Sequence, residues 1–143
     1  MPYSTNEQEF LQEQETRLKS YYSTNKIKLV GFENRERFID WYLHELYINN
    51  NKCHYCKTSI LEIRNLLNSG IISGRNVGGS GIRGHNLEID RMHPGIEYSE
   101  DNCVLSCYYC NNDKSNTFSY DIYKNEIGAS RKEIWDNLLR LLR

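Results

Sequence analysis

The sequence predicts an α+β fold in which helices surround a small core of two strands and one helix, a ββα arrangement. Two observations lead to this prediction. Segments with helical apolar spacing and N-terminal capping residues lie on both sides of the middle of the chain. Within the middle, two short segments of strand character follow each other, and a pair of Cys-x-x-Cys motifs encloses them.

Two helices are predicted before the first cysteine motif. Ser4-Thr5-Asn6-Glu7 has the order of a capping box and opens a polar helix that extends to about Tyr22. Residues 26–30 alternate briefly between polar and apolar before Gly31 breaks the pattern. The second helix covers residues 34–48, because its apolar residues fall near helical spacing and Asn34 is a suitable cap.

The middle of the chain alternates between turn signals and short elements. A capping box at Ser59 opens a helix that Gly70 is expected to end. Residues 73–84 hold several glycines and arginines, which predicts a flexible cationic loop. Strands are predicted at residues 86–91 and 103–105, and a helix begins near Cys107.

Two further helices are predicted in the C-terminal part of the sequence. A short one covers residues 120–126, and a second one begins at a capping box at Ser130. We expect residues 1–32 to form an N-terminal helical extension and residues 33–119 the cysteine-clamped ββα core. Residues 120–143 then supply the C-terminal helices, and all three parts belong to one compact domain.

The composition limits what the chain can do. Its 143 residues are 38% hydrophobic and have a mean hydropathy of −0.73, so a bound metal would add useful folding energy to a thin core. The net charge of −1 argues against a uniformly basic coat for nucleic acid, but it is compatible with a local basic face. The sequence lacks a long apolar run and a secretory signal, so we expect a cytoplasmic protein without a membrane span.

Four of the five cysteines have the spacing of a zinc site. Cys53 and Cys56 form one tight turn, Cys107 and Cys110 form another, and four thiolates can close a tetrahedral site. Buried free thiols or a redox pair are the alternatives, but a redox pair needs only one Cys-x-x-Cys motif. Cys103 is interpreted as a small core residue.

Polar residues at the strand and helix ends suggest a second metal site. Asp90 ends the first predicted strand, and Asn111 begins the helix that the zinc site would hold beside it. Carboxylate and amide oxygens suit Mg²⁺ or a similar hard divalent ion. Arg91 can grip a phosphate through its planar fork, and Lys114 can add a phosphate contact.

These motifs resemble those of the HNH, or ββα-metal, endonucleases. The resemblance covers Trp41 to Ser119 and rests on Glu88-Ile89-Asp90-Arg91, on Asn102 and on Asn111. It is closest to the branch of phage-type proteins and some restriction enzymes that carries Asp-Arg where most members carry Asp-His. The resemblance implies a nuclease with one catalytic metal, bound by Asp90 and Asn111, with Asn102 orienting the loop between the two strands.

The departure from the common family pattern concerns the general base. Arg91 occupies the place of the usual His, and an arginine stays protonated and cannot accept a proton from water. Tyr98, His93 and His85 are the candidate acceptors, and a metal-bound hydroxide is the alternative.

The expected partner is double-stranded DNA. The predicted contacts are Arg75, Arg83, His85 and Lys114, although the arginine-bearing loop is also compatible with a plain surface loop. A homodimer is expected for double-strand cutting, because each of the two DNA strands then has its own active site. Two other functions are compatible with the sequence: a zinc-stabilised nucleic-acid-binding module that has lost catalysis, and a purely structural zinc domain.

Overall fold

The computed structural model describes residues 2–142, apart from the side chain of Ser80. Its elements are α1 (Glu7–Thr24), α2 (Arg35–Ile48), α3 (Ile60–Ser69), β1 (Arg75–Asn76), β2 (Ile82–Arg83), β3 (Glu88–Arg91), β4 (Cys103–Ser106), α4 (Tyr108–Lys114), α5 (Tyr120–Ile122) and α6 (Gly128–Arg140). A 3-10 turn joins β1 to β2, and a π-helical turn at Tyr123–Ile127 joins α5 to α6. Helices around two small antiparallel sheets confirm the predicted α+β class.

Side-chain caps set the starts of the first three helices. Asn6 Oδ1 accepts the Glu9 amide at 3.0 Å, so α1 begins one residue beyond Asn6 and is capped there rather than by Ser4. Asn34 caps α2 through the Arg37 amide at 2.8 Å, as predicted. The Ser59 hydroxyl caps α3, and Gly70 ends it in the left-handed conformation with φ +80°.

The ββα core consists of β3, β4 and α4. β3 and β4 pair in antiparallel register, with Asp90 opposite Val104 and Arg91 opposite Cys103. Because successive side chains of a strand point to opposite faces, Glu88 and Asp90 share one face of β3. α4 begins two residues after β4 and packs against β3, which brings the helix that contains Cys110 and Asn111 beside Asp90.

Residues 26–30 form turns. Two segments differ from the sequence predictions. Residues 73–84, predicted as a loop, contain the β1–β2 hairpin, in which Arg75 lies opposite Arg83. α6 begins at Gly128 and not at the Ser130 capping box, because the preceding residue, Ile127, is already helical with φ −78° and ψ −40°.

The buried apolar side chains form one cluster to which α1, α2, α3 and the ββα core all contribute. Aromatic rings are prominent in it: Phe32 and Phe38 meet edge to face with centroids 5.1 Å apart. Helix α2 is central, because it contacts both α1 and β4. Within residues 2–142, no helix has both the length and the apolar character that a membrane span requires.

A buried arginine ties the N-terminal segment to the ββα core. The Arg64 side chain is 1% exposed and lies 3.0 Å from Glu13. It also donates to the carbonyl oxygens of Ser4 and His85 and to the side chain of Asn86. Because its donors are satisfied, the buried charge links α1, α3 and the segment that leads into β3.

Candidate functional site

Four buried cysteines form a cluster at the junction of the first Cys-x-x-Cys turn with the β4–α4 turn. The sulfurs of Cys53, Cys56, Cys107 and Cys110 lie within 4.8 Å of one another. The pair Cys56 Sγ–Cys107 Sγ is 4.0 Å apart. Tetrahedral metal–sulfur bonds of about 2.3 Å place sulfurs about 3.8 Å apart. The four cysteines are therefore positioned to hold one metal ion.

The backbone aligns the two halves of this cluster. The amide of His54, inside the first turn, donates to the carbonyl of Leu105 on β4 at 2.9 Å. Burial raises the pKa of the Cys107 thiol well above its usual value, so crowded thiolates need a cation to compensate their charge. Cys103 is buried apart from the cluster, as the sequence predicts for a core residue.

Asp90 is held by two donors from different elements. Tyr55, which lies between Cys53 and Cys56, donates its hydroxyl to Asp90 Oδ2. Lys114 of α4 places its Nζ 3.4 Å from the same oxygen. Burial raises the pKa of the Asp90 carboxyl, and the Tyr55 hydrogen bond and the Lys114 charge oppose that effect. In the described part of the chain both donors use Oδ2, so Oδ1 is available to a ligand.

Asn111 is oriented by a charged neighbour on the same face of β3 as Asp90. Its Nδ2 donates to Glu88 Oε1 at 3.0 Å. Arg83 grips the same carboxylate with two nitrogens, one of them at 2.8 Å from Oε2. Since the amide nitrogen is used by Glu88, the amide oxygen of Asn111 is left as a potential cation ligand.

Asp90 and Asn111 line one open cleft with a volume of about 900 Å³. Four further residues predicted to act in catalysis or DNA contact line it too: Arg83, His85, Arg91 and Tyr98. Arg75, His93 and Lys114 are not among its lining residues. The fold thus brings most of the predicted site residues to one place.

Arg91 and Tyr98 form a cationic corner of the cleft. The Arg91 guanidinium carbon lies 4.6 Å from the Tyr98 ring centroid, and the Lys28 ammonium lies 4.8 Å from the same ring. Arg91 also donates to the Ile96 carbonyl at 3.3 Å. Two positive charges thus flank the ring of one of the candidate proton acceptors.

The two candidate histidines have different surroundings. His85 stacks on Tyr3 with ring centroids 4.3 Å apart. Burial and the nearby Arg64 charge lower its pKa to about 4, so its imidazole is neutral at neutral pH. His93 is exposed in the loop after β3, where its ring centroid lies 6.3 Å from that of Tyr120.

The loop between β3 and β4 is organised by Asn102, as the family resemblance implies. Its side chain accepts the His93 amide at 3.1 Å and donates to the carbonyls of His93, Ile96 and Glu97 at 3.0–3.2 Å. The side chain is buried, and these backbone hydrogen bonds fix the turn that positions Tyr98.

The two other predicted DNA contacts differ in exposure. Arg75 is exposed on the hairpin, with its Nη1 3.5 Å from the Tyr108 hydroxyl. Lys114 is only 1% exposed and pairs with Asp90, which differs from the surface phosphate contact expected from the sequence. The one-turn spacing from Cys110 places Lys114 against β3 instead of toward solvent.

Sequence reasoning missed Tyr55 and Glu88 as parts of this site. Glu88 precedes Asp90 by two residues, so strand periodicity alone places both on one face and could have identified it. Tyr55 contacts Asp90 across 35 positions of the chain, and no local pattern encodes such a contact.

The predicted ββα-metal arrangement consists of the β3–β4 sheet, helix α4 and the cysteine cluster beside them. The chain is similar to a solved structure described as the rare-cutting HNH restriction endonuclease PacI. The match has a TM-score of 0.63 and 24% identity, and it covers 89% of this chain and 80% of that one. No protein-family model and no curated protein matches the sequence significantly. The structural likeness shows a shared fold and confirms the predicted HNH fold class.

Proposed function

We propose that the protein is an HNH-type DNA endonuclease that hydrolyses phosphodiester bonds with the help of one divalent metal ion. The observation that carries the proposal is the convergence of Asp90 and Asn111 on one cleft beside the cysteine cluster. A purely structural metal domain has no need of oxygen ligands in a cationic cleft. The fold shared with a restriction endonuclease supports the same conclusion.

We assign zinc to the cysteine cluster and Mg²⁺, or another hard divalent ion, to the cleft. Four sulfur donors with tetrahedral spacing suit zinc. The free oxygens of Asp90 and Asn111 suit a hard cation. An ion bound there supplies Lewis-acid stabilisation of the scissile phosphate.

The protein's own residues provide the remaining functions. Tyr55 and Lys114 fix the Asp90 carboxylate, and Glu88 fixes the Asn111 amide. Arg91 and Arg83 line the cleft as cations, and the forked guanidinium of Arg91 matches the geometry of a phosphate. Arg75, on the same hairpin as Arg83, supplies a contact to DNA outside the cleft.

The proton acceptor is best sought among residues that line the cleft. Tyr98 and His85 both do so, whereas His93 is exposed outside the lining. The low pKa of His85, about 4, keeps its imidazole in the accepting form at neutral pH. Tyr98 lies against Arg91 and must first lose its phenolic proton to act as a base.

Cleavage of supercoiled plasmid with Mg²⁺, followed by mapping of the ends, tests the proposal. Asp90→Ala should lower cleavage by about 100-fold or more, since metal stabilisation of a phosphoryl transition state is worth several kcal/mol. Its content of cysteine-bound metal should be unchanged. Asp101→Ala, an exposed carboxylate outside the cleft lining, is the matched control and should cut normally. Tyr98→Phe and His85→Gln in the same assay identify the acceptor.

A second candidate, a DNA-binding module without catalysis, is favoured by Arg91 in the position of the usual base. This function predicts that the protein binds DNA but does not cleave it, whichever divalent metal ion is added. Such a result would contradict the nuclease proposal. For double-strand cutting we propose a homodimer, which sedimentation of the protein with and without DNA would detect. Single nicks from a monomer would contradict that assembly.

A further inference from the structure

Helix α1 and the turn after it form part of the wall of the active-site cleft. Arg17, Tyr21 and Lys28 line it together with β3 and the start of α4. The HNH motifs of the sequence do not include this helix, since their resemblance begins at Trp41. The wall therefore adds chemistry that the ββα core does not account for.

Two cations of this wall, Arg17 and Lys28, do not form an ion pair with a carboxylate in the described part of the chain. The acidic residues of the cleft are already paired, Glu88 with Arg83 and Asp90 with Lys114. Among the ion pairs within 4.0 Å in the described part of the chain, neither Arg17 nor Lys28 takes part. Their charge is therefore available to an anionic ligand, in a molecule whose net charge is −1.

Neutral groups hold these two cations toward the site. Arg17 donates to Gln14 Oε1 at 3.0 Å and to the Tyr42 hydroxyl at 2.8 Å. Lys28 lies 3.2 Å from the Tyr21 hydroxyl and over the Tyr98 ring that Arg91 also contacts. Pre-orientation by neutral partners lowers the entropic cost of binding while leaving the full positive charge.

The cleft size limits the ligand. A volume of about 900 Å³ lies near the upper end of the roughly 300–1,000 Å³ range of small-ligand sites. A cleft of this volume has room for a short stretch of one nucleic-acid strand and not for a whole duplex. Phosphate groups are the shared chemistry, and they come either from a continuous DNA strand or from a free nucleotide.

We propose that Arg17 and Lys28 form a second phosphate-binding subsite, which holds DNA-strand phosphates next to the scissile one. This inference rests on the proposed nuclease function and assigns a role in substrate binding to the N-terminal helix. α1 then acts as a clamp opposite the ββα core, and the backbone of the strand lies between them.

The salt dependence of binding to a duplex oligonucleotide, without added Mg²⁺, tests the subsite. Each phosphate contact contributes about 0.9 to the slope of log K against log salt concentration. Lys28→Gln and Arg17→Gln should each reduce the slope by about that amount. When the salt concentration rises from 50 to 200 mM, the affinity of each variant should fall by a factor about 3.5 times smaller than the factor for the wild type. Arg17→Lys keeps the charge and should keep the slope.

Lys19→Gln is the matched control, because Lys19 is exposed on the same helix but does not line the cleft. It should leave the slope unchanged. Lys28 is exposed, so its variant tests the proposal even if Arg17→Gln unfolds the protein in a thermal melt.

Several outcomes would overturn the subsite. One is a wild-type slope in Lys28→Gln, and another is an equal reduction in Lys19→Gln. Displacement of the duplex by a mononucleotide, with an affinity that depends on Lys28, assigns the cations to a free nucleotide instead. If the wild type cuts plasmid but the slopes do not change, only the subsite fails. If it neither binds nor cuts DNA, the proposed nuclease function fails as well.

Discussion

At the scale of single residues, one hydrogen bond links the cysteine cluster to Asp90. Tyr55 belongs to the first Cys-x-x-Cys turn and donates to Asp90 Oδ2. The turn that carries two of the clustered cysteines thereby fixes a proposed ligand of the ion in the cleft. Such outer-shell hydrogen bonds orient a ligand, and their loss typically weakens metal affinity by about 10- to 100-fold.

Tyr55→Phe removes this hydrogen bond while keeping the ring that packs edge to face on Tyr123 at 5.2 Å. We expect half-maximal cleavage to need about 10-fold or more Mg²⁺, because Asp90 loses one of its two donors. The metal content of the cysteine cluster should stay the same. The measurement is the Mg²⁺ dependence of the cleavage rate together with the bound zinc.

Tyr120→Phe is a suitable control, since this neighbouring hydroxyl contacts His54 Nε2 at 2.7 Å and not Asp90. It should leave the Mg²⁺ dependence at the wild-type value. If Tyr55→Phe changed only the maximal rate, in proportion to lost folded protein, the positioning role would be refuted.

The site residues also show what a single sequence can reveal. Asp90 was predicted as a site residue because it ends a predicted strand, and Asn111 because it follows the second Cys-x-x-Cys motif. Both line the cleft. The burial of Lys114 and the Tyr55 contact depend on how α4 and the first cysteine turn pack against β3. Those contacts are set by tertiary structure, which neither residue spacing nor hydrophobic pattern records.

At the scale of elements, the helix starts predicted from the sequence agree with the structure where a side chain caps the helix as predicted. The starts of α2 and α3 were predicted because Asn34 and Ser59 satisfy amide groups at the helix ends. The start of α6 was mispredicted because a π-helical turn leads into it without a side-chain cap. The β1–β2 hairpin was missed because strands of two residues carry no periodic signal.

Helix α6 packs unusually closely on the first cysteine turn. A Cβ added at Gly128 would lie 2.6 Å from the Tyr55 carbonyl oxygen and 3.3 Å from that of Tyr123. Gly128 has ordinary helical dihedrals, with φ −59°, so it is the close approach that requires a glycine here. The base of α6 therefore lies against the backbone of the residue that holds Asp90.

Gly128→Ala sets two effects against each other. Alanine stabilises a helical backbone by up to about 1 kcal/mol relative to glycine. The overlap with a backbone carbonyl forces a shift that typically costs about 1–3 kcal/mol in a packed interior. We expect net destabilisation and a higher Mg²⁺ requirement, measured by chemical unfolding and by cleavage.

Ser130→Ala, at an exposed position of the same helix, is the control and should leave both measurements near the wild-type values. A Gly128→Ala protein that is as stable as the wild type or more stable would show that α6 can move off the turn without cost.

At the scale of the whole molecule, the cysteine cluster joins segments that are far apart in sequence. Cys56 and Cys107 are 51 positions apart, and the segment between them contains α3, the hairpin and both core strands. A metal bound at this point would therefore close a long loop of chain and hold the first cysteine turn against β4 and α4. Its loss should affect the whole fold.

Removal of the cysteine-bound metal with a chelator should unfold the protein at neutral pH. Structural zinc supplies about 10–16 kcal/mol of apparent binding energy in small domains, which matches or exceeds the roughly 5–15 kcal/mol of net stability of a typical protein. Far-ultraviolet circular dichroism should report lost helix, and addition of zinc, but not of Mg²⁺ alone, should restore both signal and cleavage. Cys53→Ser should behave like the chelated protein, whereas Cys103→Ala should retain one metal ion per chain, since Cys103 lies outside the cluster. A chelated protein that kept its helical signal and still cut DNA would show that the fold holds Asp90 and Asn111 in place without the cluster.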